Sequence, residues 1–330
     1  MSRSFSFSSA PMISLRSLSI LVSIASTVDA AIAKLRPEPR EITYWFPLCI
    51  AGDSYTTTGF DPNGTLPSIG NPLGNPAFPG ETGGGGENFV GFDTTQYNKS
   101  LILTYDYAVG GAVIDPTLVP PITLALPDEV DEFLAGAAKK PKTAPWTSEN
   151  ALFSIWIGIN DIGNTFYLGG DRDAFSDTLL DRYFAQVQRL VRHFDLFYPI
   201  TLLTSSLPIN AGGRNFLFIN VPPTYRAPLI IGFFPDQLDV AKTVIEHFNA
   251  KLATRVKSFK AKNHGVETWS WDAYTSFNTI LDAPQKYGFV DNSSYGEPGD
   301  FWGNSYHPAS EAHHIFAKQI ARLLAGTPWF

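Results

Sequence analysis

Short apolar runs alternate with longer amphipathic stretches along this chain, and that alternation limits the possible folds more than any other feature. Five runs have the length and the aromatic or β-branched content of buried strands: Trp45–Ala51, Leu101–Tyr107, Leu152–Ile157, Asn215–Val221 and Val266–Trp271. Helical patterns lie between them. Leu180, Tyr183/Phe184, Val187, Leu190/Val191 and Phe194 recur every three to four residues. A second pattern runs from Asp236 to about Lys262, with Val240, Val244, Phe248, Leu252 and Val256 on one face. A last helix is expected to start near Pro308, a favoured first helical residue, with Ala312, Phe316, Ile320 and Leu323 turned inward. Strands alternating with helices predict an α/β fold whose mostly parallel sheet is covered on both faces. A functional site then gathers at the carboxyl ends of the strands.

Composition narrows the class further. Of the 330 residues 44% are hydrophobic and 17% charged, which fits a folded domain with a sizeable core. A formal net charge of −7 without a long Lys/Arg run argues against a nucleic-acid partner. Residues 1–33 read as a signal peptide: Arg3 and Arg16 precede the apolar stretch Leu18–Ala25, with small residues at Val28-Asp-Ala30 or Ala31-Ile-Ala33 for cleavage. That stretch is too short to span a bilayer, so secretion is expected and a membrane partner is not. The sequons at Asn63, Asn98 and Asn292 suit glycosylation outside the cell. Cys49, the single cysteine, excludes an intrachain disulfide, and its apolar neighbours mark it as a buried thiol. No His/Cys/Asp cluster has metal-ligand spacing, and neither metal nor cofactor is expected. Seven Trp and thirteen Tyr are available for stacking on sugars, although core packing is the default use of such rings.

Four short segments sit where an α/β sheet places its chemistry. Ala51-Gly52-Asp53-Ser54-Tyr55 follows the first strand, so Ser54 is either a nucleophile on a tight turn or a helix cap. Asp106-Tyr-Ala-Val-Gly110-Gly111-Ala112 ends the second strand, with glycines that allow a close backbone approach or simply turn the chain. Ile157-Gly158-Ile159-Asn160-Asp161 ends the third, and Asn160 is either an oxyanion donor or a turn cap. Tyr306-His307-Pro308 places an imidazole just before the final helix. The run Gly83–Gly86 reads as a mobile loop.

Taken in this order, the segments resemble the GDSL (SGNH) hydrolase superfamily, whose blocks contribute Ser, Gly, Asn and His in that sequence. They are most similar to the fungal acetylesterases of carbohydrate esterase family 16. The resemblance rests on Gly52-Asp-Ser-Tyr-Thr-Thr-Thr-Gly-Phe60, Asn71-Pro-Leu-Gly-Asn-Pro76, Ala108–Ala112, Ala144-Pro-Trp146, Ile155–Asp161, Asn215–Pro223 and Phe301–Pro308, and it extends over residues 40–326. It implies a three-layer α/β/α, flavodoxin-like fold over a single domain, residues 34–330. It also implies a secreted serine esterase that removes acetyl groups from carbohydrates through an acyl-enzyme. Ser54 would attack the ester and His307 would carry its proton, with the oxyanion held by the amides of Ser54 and Gly111 and by Asn160. Asp53 and Asp161 would brace turns. The substrate would be an acetylated oligosaccharide or another small ester, and the chain is expected to act as a monomer. A lipase or broad carboxylesterase, or a weakly catalytic carbohydrate-binding protein, are the alternatives.

Two departures stand out. The superfamily commonly carries Asp three residues before the catalytic His, and here that position is Asn304. Three groups are candidates to orient His307: Asn304 itself, a backbone carbonyl, or Asp300. Since a carboxylate also stabilises imidazolium, Asn304→Asp is expected to raise turnover. The second departure is the apolar segment Asp195–Ile209, either a lid over the site or a translated intron.

Overall fold

A computed structural model of the chain describes residues 40–47, 54–191 and 212–330. The leader expected over residues 1–33, Cys49, Asp53, Phe194 and the segment Asp195–Ile209 lie outside the described residues. In chain order the main elements are β1 (Ile42–Pro47), α1 (Phe89–Thr95), β2 (Leu101–Thr104), α2 (Leu126–Ala135), β3 (Ala151–Trp156) and α3 (Ile159–Gly163). They continue with α4 (Arg172–Val191), β4 (Asn215–Ile219), α5 (Pro228–Phe233), α6 (Leu238–Lys262), β5 (Glu267–Trp271), α7 (Ala273–Asp282) and α8 (Ser310–Leu323). All four strand pairings are parallel and the order is β2-β1-β3-β4-β5. That is the doubly wound, flavodoxin-like order, with its switch point between β1 and β3.

The two faces of the sheet are distinguishable by their aromatic residues. Side chains alternate along a strand, and paired residues of parallel strands share a face. Phe46, Phe153 and Phe216 are in register across β1, β3 and β4, with ring centroids 5.2 and 5.4 Å apart. Phe133 of α2 packs on this row, while Phe184 of α4 and Phe259 of α6 pack on Phe218. The opposite face carries Trp45, Trp156 and Trp271, met by Phe89 of α1 and Phe316 of α8. Burying one such ring contributes roughly 1.5–3 kcal/mol, so the two aromatic layers hold the helices against the sheet. Six of the seven tryptophans are buried; Trp269 is half-buried. They form core, and none is an open stacking platform.

Several boundaries differ from the sequence reading. β1 begins at Ile42, and β2 ends at Thr104, beyond which Tyr105 and Tyr107 still donate to Trp45 and Pro47 carbonyls. Pro308 is not the first residue of the final helix. It bridges back to Trp302, and α8 starts at Ser310 after the N-cap Ala309. Leu323, the last residue of α8, is 38% exposed, whereas Leu324, the C-cap where the chain leaves helical geometry, is fully buried. Val240 is 45% exposed, since the buried face of α6 runs through Ala241, Val244, Ile245 and Phe248 and leaves Val240 beyond its edge.

Candidate active site

Four chain segments converge at the carboxyl edge of the sheet around a cavity of about 440 Å³. Ser54, Gly110, Gly111, Asn160 and His307 all line it. The Ser54 hydroxyl is hydrogen-bonded to Nε2 of His307. Helix capping is therefore not what its oxygen does. His307 Nδ1 lies 2.8 Å from Asn304 Oδ1. The carboxylate of Asp300 is used within its own loop, where it accepts from the Ser294 hydroxyl and the Glu297 N–H.

The hydrogen-bond network fixes which way Asn304 faces and where the imidazole proton sits. Asn304 Oδ1 accepts from the backbone N–H of Tyr306 at 3.0 Å and of His307 at 2.9 Å. Backbone N–H groups only donate, so this atom is the amide oxygen. The amide nitrogen, on the other side, donates to the Gly83 carbonyl at 2.8 Å. His307 Nδ1, facing an acceptor, must carry the proton. Nε2 then presents a lone pair to the Ser54 hydroxyl, as a general base requires. Burial pushes the His307 pKa down to about 4. The cause is desolvation; α8 begins three residues later. At neutral pH the ring is an unprotonated base.

The support beneath the pair comes from residues whose sequence signal was slight. Tyr55 is fully buried, donates to the Tyr306 carbonyl at 2.6 Å, and sets its ring against His307 at 5.4 Å. The Gly83–Gly86 run is not a free loop. Gly83 N–H donates to the Ser54 carbonyl at 3.1 Å, Thr82 donates to the Gly86 carbonyl, and Ser310 donates to the Glu87 carbonyl. A glycine run was read as mobile because it lacks side chains, yet here the missing side chains allow the backbone to pack closely.

The oxyanion candidates are placed as follows. Gly111 has φ +83°, and a Cβ there would come within 2.8 Å of Ile122 Cβ. Only glycine turns the chain this way without strain. Asn160 Nδ2 donates to the Ala112 carbonyl at 3.0 Å. An amide nitrogen carries two N–H donors, and this bond uses one. Asp161 Oδ1 accepts from Ile114 N–H at 3.0 Å and braces the same turn; burial raises its pKa to about 7.

The remaining wall of the cavity is formed by Ile122, Tyr167, Leu229, Ile230 and Phe234. Tyr167 and Phe234 stack at 4.8 Å between centroids with 16° between planes. Their separation in sequence hid this pairing. Among the described residues no group of three or more His, Cys, Asp or Glu side chains is placed to hold a metal ion. Among the described residues, too, no helix is long and apolar enough to cross a membrane.

Comparison with known proteins places the chain in a family. Residues 48–320 match the family model described as GDSL-like Lipase/Acylhydrolase. The chain is 37% identical over 282 residues to an acetylesterase of Thermothelomyces thermophilus, covering 84% of this chain and 87% of that one. It is 26% identical over 244 residues to the thermolabile hemolysin of Vibrio parahaemolyticus, covering 73% of this chain but 49% of that protein. Among solved structures, an acetylxylan esterase from Geobacillus stearothermophilus superposes with a TM-score of 0.44 at 16% identity, over 88% of this chain and 96% of that one. The chain belongs to the GDSL-like lipase/acylhydrolase family and is an ester hydrolase, similar to a fungal acetylesterase over most of its length.

Proposed function

We propose that the protein is a secreted serine esterase that removes acetyl groups from carbohydrates, with Ser54 as nucleophile and His307 as its base. The observation that carries this reading is the hydrogen-bonded series Ser54, His307, Asn304 opening into the cavity that Gly111 and Asn160 also line. Ser54 Oγ attacks the ester carbonyl while its proton passes to His307 Nε2. The carbonyl oxygen gains the negative charge and is held by the amides of Ser54 and Gly111 and the Asn160 side chain. When the C–O bond breaks, the alcohol leaves with the proton from His307. Water then repeats the sequence and releases acetate, restoring Ser54. Asn304 keeps Nδ1 protonated and the ring aligned throughout.

The substrate class rests on the acetylesterase relative and on the shape of the cavity. The stacked Tyr167 and Phe234 rings and Tyr306, all lining the cavity, offer aromatic surface to a sugar ring. Secretion rests on the leader-like residues 1–33 and on two exposed sequon asparagines, Asn63 and Asn292. A second reading, a broad carboxylesterase, is favoured by the apolar wall of Ile122, Leu229, Ile230 and Phe234. A panel of aryl esters from acetyl to decanoyl, run beside acetylated xylo-oligosaccharides, separates the two. Acetate release from the oligosaccharides with a steep fall beyond short acyl chains is expected. Preference for octanoyl or decanoyl esters, with no release from the oligosaccharides, would assign the carboxylesterase reading instead.

A further inference from the structure

The Gly83 peptide takes part in a closed ring of hydrogen bonds with the catalytic residues. Its N–H donates to the Ser54 carbonyl at 3.1 Å, and its carbonyl accepts from Asn304 Nδ2 at 2.8 Å. Asn304 Oδ1 then accepts from His307 Nδ1 at 2.8 Å, and His307 Nε2 returns the ring to the Ser54 hydroxyl. The segment is fastened on both sides. Glu81 N–H donates to the Thr58 carbonyl at 2.8 Å, and Asn88 Nδ2 donates to the Thr56 carbonyl at 2.6 Å.

We infer that Gly83 is a positioning residue: its carbonyl orients and polarises the Asn304 amide, so that a neutral side chain can hold and stabilise His307. A carbonyl at the amide nitrogen draws electron density toward Oδ1, because hydrogen bonds in series strengthen one another. Oδ1 becomes a better acceptor for Nδ1–H when the ring turns cationic during attack. The same contact selects Asn over Asp at 304. A carboxylate has no N–H to offer, and its second oxygen would face the Gly83 oxygen, acceptor against acceptor.

The position also requires glycine. A Cβ on residue 83 would lie 2.3 Å from the Ser54 carbonyl oxygen, 2.8 Å from Ser54 Cβ and 2.9 Å from His307 Cδ2. Its neighbours are confined in the same way: a Cβ on Gly84 would meet the Pro308 oxygen at 2.0 Å, and one on Gly303 the Gly84 oxygen at 2.3 Å. Three glycines thus let the 82–85 backbone lie directly against the loop that carries Asn304 and His307.

This inference rests on the Ser54–His307 reading above, and the test keeps the two apart. Ser54→Ala, Gly83→Ala and Asn304→Asp are assayed on an aryl acetate at neutral pH. Gly83→Ala should lower kcat by about 10–10²-fold with KM little changed, the loss typical of a slightly misplaced catalytic group. Because the added Cβ would also press directly on Ser54 and His307, Gly83→Ala reports the close approach of the backbone, and the route through Asn304 is read from Asn304→Asp. Asn304→Asp, which leaves the backbone untouched, should lower kcat at least about tenfold despite the added negative charge, and it decides the matter if Gly83→Ala does not fold. The assignment is overturned if Gly83→Ala keeps its rate or if Asn304→Asp matches or exceeds the parent. An active Ser54→Ala would instead overturn the underlying serine mechanism.

Discussion

Asn304 Oδ1 stands 2.8 Å from His307 Nδ1, and the same oxygen accepts the backbone N–H of His307 at 2.9 Å. One atom therefore fixes both the ring and the main chain of His307. A neutral amide in this place aligns the imidazole and sets its tautomer without adding a negative charge. The Gly83 carbonyl behind it reverses the expectation drawn from sequence, in which Asn304→Asp was to raise turnover. Charge favours that change, but the acceptor already facing residue 304 opposes it.

The first prediction concerns the pH–rate profile. Burial holds the His307 pKa at about 4, and among the described residues no carboxylate raises it. For a neutral aryl acetate, kcat/KM should be level from about pH 6 to 8 and fall along a single acidic limb centred near pH 4. A limb centred near the ordinary histidine value would show that the free enzyme exposes this ring to water.

A second prediction concerns the oxyanion. Asn160→Ala should lower kcat by about 10²–10³ with little change in KM, because the donor is most valuable when charge has formed on the carbonyl oxygen. Steady-state kinetics decide it. A raised KM with unchanged kcat would make Asn160 a ground-state binding residue.

Much of this was legible in the sequence. The first four strands appear as apolar runs because both faces of a parallel sheet are covered and they are buried almost throughout, whereas in the edge strand β5 only Trp271 is buried. Ser54, Gly111, Asn160 and His307 each follow a strand or precede a helix, and their order carried the family. Asn304 was one of three candidates, and choosing it required knowing that Asp300 is held by Ser294 and Glu297. Gly83 was missed because its role is carried by its peptide group, which every residue possesses. The Tyr167–Phe234 pair was missed because packing between distant residues leaves no local periodicity.

A third prediction links the buried acids to stability. Burial raises the carboxyl pKa values of Asp106 and Asp161 to about 7, and those of Asp93 and Glu129 well above the ordinary range. These groups keep protons in the folded chain that the unfolded chain loses, so their stabilising share is full below the ordinary carboxyl range and is lost as pH rises to the folded-state pKa, about 7 for Asp106 and Asp161. His307 and His313, lowered to about 4 and about 3, act oppositely: they lose stability as pH falls below the ordinary histidine value. The acids are more numerous, and above about pH 6.5 the histidines contribute nothing further. Tm should therefore fall from mildly acidic pH to neutrality, most steeply just below pH 7, where the histidines no longer oppose the acids, and Asp161→Asn should flatten that slope. Calorimetry showing Tm rising with pH across this range would contradict the assignment.

The most direct measurement is the turnover of an aryl acetate by Ser54→Ala beside the parent protein, in the presence of a chelator and with matched thermal melting curves. The account predicts that the parent is unaffected by the chelator and that the variant, still folded, loses on the order of 10⁶ in kcat. A folded Ser54→Ala that retains its rate within about tenfold would contradict the nucleophile assignment, since loss of a serine nucleophile costs far more than that.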